Sequence, residues 1–272
     1  MRHAMPEDTP ERARTLAHGG DAKGAAQVLT RYLEASPGDA AAHFQLANLV
    51  LRLGDAERAV HCFERALALD PDNAVVHSDM GTALEKAGRE SEAAEAYGRA
   101  ARAQPPFPPA QYNLALIRRR QGRLDEAVRQ LREALEQMPG FRVARYELGQ
   151  CLAQLGQEDA ARACFDDLLA DDSKDIEARR AIAEMDIDHC RFADAAQQLE
   201  QCLALAPGDA TVTLALGACL QELGRVDEAL THYRRLLEHD RSRYYDVVKK
   251  LTGATKGRFW VKTTELRRTL LG

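Results

Sequence analysis

Long apolar runs are missing from this 272-residue chain, and so are paired cysteines, aromatic residues in quantity and, relative to arginine, lysine. No stretch approaches the roughly 20 consecutive apolar residues that a membrane-spanning helix needs. The opening Met1-Arg-His-Ala-Met-Pro-Glu-Asp carries no apolar segment of the kind a secretory signal requires. A soluble, cytoplasmic protein is expected. The cysteines (Cys62, Cys151, Cys164, Cys190, Cys202, Cys219) stand without C-x-x-C spacing, which argues against a zinc module or a disulfide framework and predicts buried, reduced thiols. Aromatics make up 6% of a chain that is 45% hydrophobic and rich in alanine. That mixture suits closely packed helices and leaves little material for a sheet. Only 7 lysines accompany 30 arginines, a bias that points to a GC-rich coding genome.

What the chain does have is a period. Pro37, Pro71, Pro105, Pro139 and Pro207 stand on a ladder of 34 residues that skips one rung at Ser173. Gly20, Gly54, Gly88, Gly122, Gly156 and Gly224 share a second phase, broken only by Cys190. Ala25, Ala59, Ala93, Ala127, Ala161, Ala195 and Ala229 share a third without a break. A period of this length belongs to a helix-turn-helix unit. The glycine ends the first helix (A) of each unit, where positive φ closes the turn at little cost. The alanine sits where the second helix (B) meets the first, and the proline stops helix B. Phe63, Tyr97, Leu131, Phe165, Leu199 and Tyr233 recur at one position of helix B and are core residues.

Segments such as Leu46-Ala47, Gly54-Asp55, Ala59, Phe63, Ala66 and Asp70-Pro71 carry small and large residues in the pattern of the tetratricopeptide repeat, and the chain resembles bacterial-type members of that family. The resemblance implies an all-α, right-handed superhelical solenoid. Seven repeats are expected at 6–39, 40–73, 74–107, 108–141, 142–175, 176–209 and 210–243, after an N-terminal tail at 1–5. A capping helix at 244–252 and a basic extension at 253–272 follow. Tyr32 stands in repeat 1 where later repeats have Ala66, Ala100 or Ala134, as suits a terminal unit. The acidic run from Asp166 to Asp175 replaces one proline junction and reads as a solvated helix end. Pro105-Pro106-Phe107-Pro108-Pro109 should stiffen another.

The same resemblance places the A helices on the concave side, with defined positions facing a groove. Applied here, that register nominates Phe44, Gln45, Asn48 and Arg52 in repeat 2, and Ser78, Asp79, Thr82, Glu85 and Lys86 in repeat 3. Repeat 4 contributes Tyr112, Asn113, Arg119 and Arg120, and repeat 5 contributes Tyr146, Glu147, Gln150 and Gln154. Gln45, Asp79, Asn113 and Glu147 then form a polar ladder that can hydrogen-bond the backbone of an extended peptide, with aromatic neighbours for its side chains. The structural alternative is an ordinary polar surface. The lysines and arginine of the clamp that grips chaperone C-termini are missing at the matching positions. The asparagine ladder of glycosyltransferase-associated repeats is matched only by Asn113.

Charge is distributed unevenly. Residues 241–272 hold nine basic and two acidic side chains in a chain whose net charge is −5. Tyr244, Val247, Val248 and Leu251 make the apolar stripe of a capping helix, with Lys249 and Lys250 facing outward. Beyond it, Lys256, Arg258, Trp260 and Lys262 interleave base and aromatic in a way that suits single-stranded nucleic acid, an anionic membrane surface or an acidic protein. The alternative is that Phe259 and Trp260 pack on the last hairpin. The tail is also suited to self-association against the acidic repeats.

Catalysis has one local candidate, Asp186, Asp188, His189 and Cys190 at the end of an A helix, where Cys190 occupies the glycine rung. A structural role outweighs a metal site there, so no catalytic residue, metal or cofactor is expected. Two classes of function remain. One is a non-catalytic scaffold holding an extended peptide or partner protein, a class that includes a substrate-recruiting module for a separate modifying enzyme. The other is a nucleic-acid- or membrane-associated regulator acting through the basic tail.

Overall fold

The computed structural model describes residues 8–253 and residue 270. All regular structure among the described residues is helical, and the chain is an all-α repeat solenoid. Antiparallel pairs follow one another: α1 (Pro10–His18) with α2 (Ala22–Ala35), α3 (Ala40–Arg52) with α4 (Ala56–Leu69), α5 (Ala74–Lys86) with α6 (Glu90–Ala101), and α7 (Pro108–Arg120) with α8 (Leu124–Gln137). Then come α9 (Arg142–Gln154), α10 (Glu158–Asp171), α11 (Ile176–Asp188), α12 (Phe192–Leu205), α13 (Ala210–Glu222) and α14 (Val226–His239). A 3-10 turn at Arg241–Arg243 leads into α15 (Tyr244–Gly253). The chain divides into two compact units, Met1–Ala144 and Arg145–Gly272.

In the first unit the helix boundaries follow from local chemistry. Thr9, Asp21, Asp39, Asp55 and Asn73 each accept a backbone N–H of the following first turn, satisfying donors that a helix start leaves orphaned. Asp55 serves both ends of its turn. Its backbone N–H donates to Val50 O at 3.2 Å while its Oδ1 accepts from Arg58 N at 3.1 Å. Gly54 between the two helices has φ of 90°, a conformation that side chains other than hydrogen rarely adopt. Ala25, Ala59, Ala93 and Ala127 are fully buried where paired helices approach. Phe63 and Tyr97 fill the same core.

Tyr97 needs a special seat. A Cβ on Gly81 of α5 would lie 2.7 Å from the Tyr97 ring, so the tyrosine fits only because that side chain is absent. The second unit repeats the device. Added Cβ atoms would lie 2.7 Å from Phe165 at Gly149 and 2.4 Å from Tyr233 at Gly217. Where the helix B residue is leucine, as at Leu131 and Leu199, alanine (Ala115, Ala183) stands at the corresponding position of helix A.

The second unit has its own core, in which Val247 and Leu251 of α15 are buried and Tyr244 and Val248 pack against it. Leu270 is buried in the same core. Cys190 takes the glycine rung with φ of 57°. The expectation of buried thiols holds for Cys62, Cys151, Cys202 and Cys219 but not for Cys190, which is exposed, nor for half-buried Cys164. The turn that bends Cys190 into the left-handed region also turns its side chain outward, since this rung faces solvent in every hairpin. Burial raises the thiol pKa of Cys62 and Cys202, and pushes that of Cys219 up to about 11. Among the described residues no helix is long and apolar enough to cross a membrane.

Candidate functional site

Within the first unit the odd-numbered helices form one continuous face. Helices α1 and α3 share the walls of a hollow of about 190 Å³. Asn48 Nδ2 on α3 donates to Asp79 Oδ2 on α5 at 3.2 Å. Arg120 at the end of α7 pairs with Glu85 of α5. The even-numbered helices meet one another separately: Arg58 donates to Thr30 at 3.3 Å, and Arg89, preceding α6, donates to Glu57 of α4 at 3.0 Å.

The nominated residues sit on this odd-helix face in three different states. Arg52 and Arg120 are exposed, while Phe44, Gln45, Asn48, Asp79, Thr82, Tyr112, Asn113 and Arg119 are half-buried. Ser78 is buried and so is withheld from solvent. It occupies the position where Phe44 and Tyr112 stand in neighbouring repeats, and a side chain this short stops below the surface. Burial raises the Asp79 pKa, and the hydrogen bond from Asn48 opposes that rise.

The aromatic residues are also packing residues. Phe44 lies against Phe63 with ring centroids 6.0 Å apart, and Tyr112 against Phe141 at 5.3 Å. Only their outer edges are left for a partner. Thr82 is likewise engaged: its Oγ1 lies 3.0 Å from Tyr97 OH, which donates to Glu85 Oε2 at 2.8 Å. Burial raises the Tyr97 pKa, and the Glu85 carboxylate raises it further. Glu85 therefore anchors a core tyrosine, a role that its place in the register does not reveal. Tyr233 repeats this in the second unit by donating to Gln221 Oε1 at 3.0 Å.

In the second unit Tyr146, Glu147 and Gln150 lie on α9, all half-buried. Gln150 Nε2 donates to Tyr146 OH at 3.2 Å, and the Tyr146 ring lies 5.6 Å from that of Phe165. Burial raises the Tyr146 pKa, with Glu177 and Glu184 of α11 adding to the rise, so this stretch of helix surface is acidic.

The acidic and histidine cluster at the end of α11 is a closed network. The Asp186 side chain is 1% exposed and pairs with Arg162 and with Arg191, whose Nε donates to Oδ1 at 2.9 Å. Arg191 also reaches Glu158 at 3.4 Å, and His189 pairs with the same carboxylate. The other ring nitrogen of His189 lies 2.8 Å from Met185 O. Both arginines engage Asp186 Oδ1, while Oδ2 is buried without a hydrogen-bond partner; the charges of the cluster are thus committed to one another. Among the described residues no group of three or more His, Cys, Asp or Glu side chains is placed to hold a metal ion.

Of the basic element, Lys249 is exposed on α15, as is Lys250. Lys256, Arg258, Trp260 and Lys262 lie outside the described residues, as do the N-terminal tail at 1–5 and most of the 253–272 extension. The register missed two features of the first unit, Arg14 and the small residue Ala17 on α1, which line the hollow beside Arg52. The signal was weak: the position of Ala17 is held by the longer Leu51, Glu85, Arg119, Ile187 and Gln221 in five other repeats, but by alanine again at Ala153.

A family model described as tetratricopeptide repeat matches residues 16–63, 118–185 and 187–251, and a second of the same description matches residues 44–109. Among solved structures, the chain is similar to MamA (24% identity over 62% of this chain and 98% of that one, TM-score 0.57). It is similar to YrrB, described as a TPR protein with an unusual peptide-binding site (24% identity, 71% and 98% covered, TM-score 0.60). It also matches the C-terminal part of a TPR repeat-containing protein from Cytophaga hutchinsonii (16% identity, 89% and 99% covered, TM-score 0.74). A comparison with curated proteins gives no match. At these identities the structural likeness establishes the fold.

Proposed function

Since the chain belongs to the tetratricopeptide-repeat family, we propose that it is a non-catalytic scaffold that holds an extended segment of another protein against its odd-numbered helices. The observation that carries this reading is the continuity of one polar face from α3 to α7, joined through Asn48 with Asp79 and Arg120 with Glu85, and extended to α1 by the hollow it shares with α3. Gln45, Asn48 and Asn113 on that face carry amides that both donate and accept, which suits the alternating N–H and C=O groups of an extended backbone. The peptide-binding site named for YrrB is in keeping with such a role. The Asp186 network supports the non-catalytic part of the proposal, because its charges neutralise each other.

The test is selection of a displayed library of random linear peptides on the intact protein. Recovered peptides should compete with one another for one site, and Gln45→Ala combined with Asn113→Ala should weaken them several-fold. Failure to recover any binding peptide, or binding indifferent to that double change, would count against the proposal.

A further inference from the structure

The hollow between α1 and α3 differs in character from the rest of the face. Its interior is apolar. Ala13 and Leu29 are almost fully buried at its base, and Phe44 and Leu49 stand at its side. Ala17 of α1 lines it, at a position where five of the six other repeats carry a longer side chain and so leave less room. A volume of about 190 Å³ is ample for one side chain, since apolar cavities of roughly 150 Å³ already admit a benzene-sized group.

Its rim is basic. Arg14 and Arg52 both border the opening and are exposed. Neither forms a hydrogen bond or ion pair among the described residues. That sets them apart from Arg89, Arg118, Arg120, Arg123, Arg162, Arg191 and Arg225, all of which pair with carboxylates. Other exposed arginines, Arg129 and Arg132 among them, also stand without a partner among the described residues; what distinguishes Arg14 and Arg52 is that both border an apolar hollow. Guanidinium offers carboxylates paired, charge-assisted hydrogen bonds, so the rim selects for an anion of that shape. Asn48 completes the edge: its Nδ2 is engaged by Asp79, which leaves Oδ1 to accept a backbone N–H from an occupant.

We infer that this hollow is the anchor of the proposed groove: it takes one apolar side chain of the bound segment, and Arg14 and Arg52 hold a carboxylate adjacent to it. The favoured partner is thus an extended segment in which a leucine-sized or aromatic residue lies within one or two positions of Asp or Glu. This inference rests on the groove reading above and adds the partner's chemistry and the point of attachment to it.

Peptides recovered from the displayed library on the intact chain, then synthesised and measured by fluorescence anisotropy, test it. The expected consensus pairs an apolar residue with an acidic one. Affinity should fall at least tenfold in Arg14→Glu/Arg52→Glu, and at least tenfold in Ala17→Phe, which fills the hollow. Arg129→Glu/Arg132→Glu, exposed on α8 away from the hollow, should change it less than threefold. Because Arg14 and Arg52 are exposed, the charge-reversed protein should melt as the parent does; it decides the matter alone if Ala17→Phe does not fold. Peptides that bind equally well to the charge-reversed protein, or that show no acidic preference, would overturn the inference while leaving the groove proposal standing. Recovery of no peptide at all would overturn both.

Discussion

The end of α11 and the hollow beside α1 are both places where charged side chains gather around a nonpolar interior, yet they resolve in opposite ways. At α11 a buried carboxylate, Asp186, draws in Arg162 and Arg191, and Glu158 and His189 close the circuit. At α1 two arginines border an apolar space and pair with nothing among the described residues. A charge cluster that answers itself maintains the fold, whereas charges left over at an open hollow are available to a partner. In sequence the first was the one local candidate for chemistry, because acid, histidine and cysteine stand side by side, and it was read as structural; of the second's two arginines, only Arg52 was nominated.

Substitutions can break or sharpen this contrast. The largest effect is expected from Asp186→Ala, which removes the carboxylate from between two guanidinium groups. Breaking a fully buried pair costs about 3–5 kcal/mol. The side chains of Arg162 and Arg191 are 35% and 37% exposed and regain water, so the lower end, about 3 kcal/mol in urea unfolding, is expected. A loss below about 1 kcal/mol would mean that the network is not structural.

Next comes Gly81→Ala, between these extremes, where α5 gives up side-chain volume to seat Tyr97. Alanine improves helix propensity by up to about 1 kcal/mol, but the clash with the Tyr97 ring costs about 1–3 kcal/mol. A net destabilisation of about 1–2 kcal/mol is predicted, with recovery when Tyr97→Leu is added, as in the Ala115 and Leu131 pair. Gly98→Ala is the control. Its added Cβ meets only the Arg102 guanidinium at 3.5 Å, and it should be neutral or stabilising by about 0.5–1 kcal/mol.

A smaller gain is expected from Cys190→Gly. It relieves a left-handed residue and should raise stability by about 0.5–1 kcal/mol, with part of the benefit offset by the freer unfolded chain. The smallest effect on stability belongs to Arg14→Glu/Arg52→Glu, within about 0.5 kcal/mol. If that pair destabilised the protein as Asp186→Ala is expected to, the contrast between committed and available charge would collapse.

The repeat architecture was legible because its rungs are backbone and contact requirements: glycine at positive φ, alanine at the helix contact, proline where helix B stops. Cys190 marks a rung where the backbone demand persisted without its usual residue. The site was less legible, because position in a register says which way a side chain starts, not what it meets. Ser78 has the right position and too little length. Glu85 faces the right way and is spent on Tyr97. Phe44 and Tyr112 divide themselves between face and core. The hollow was hidden for the opposite reason, since it lies where Ala17 leaves room that a longer side chain would take.

The most direct test of the central claim is to follow backbone amide shifts of the intact protein while it is titrated with a selected peptide. Saturable changes concentrated on α1, α3 and α5, with α2, α4 and α6 unmoved, are predicted. Changes confined to the even-numbered helices, or to the unit beginning at Arg145, would contradict it.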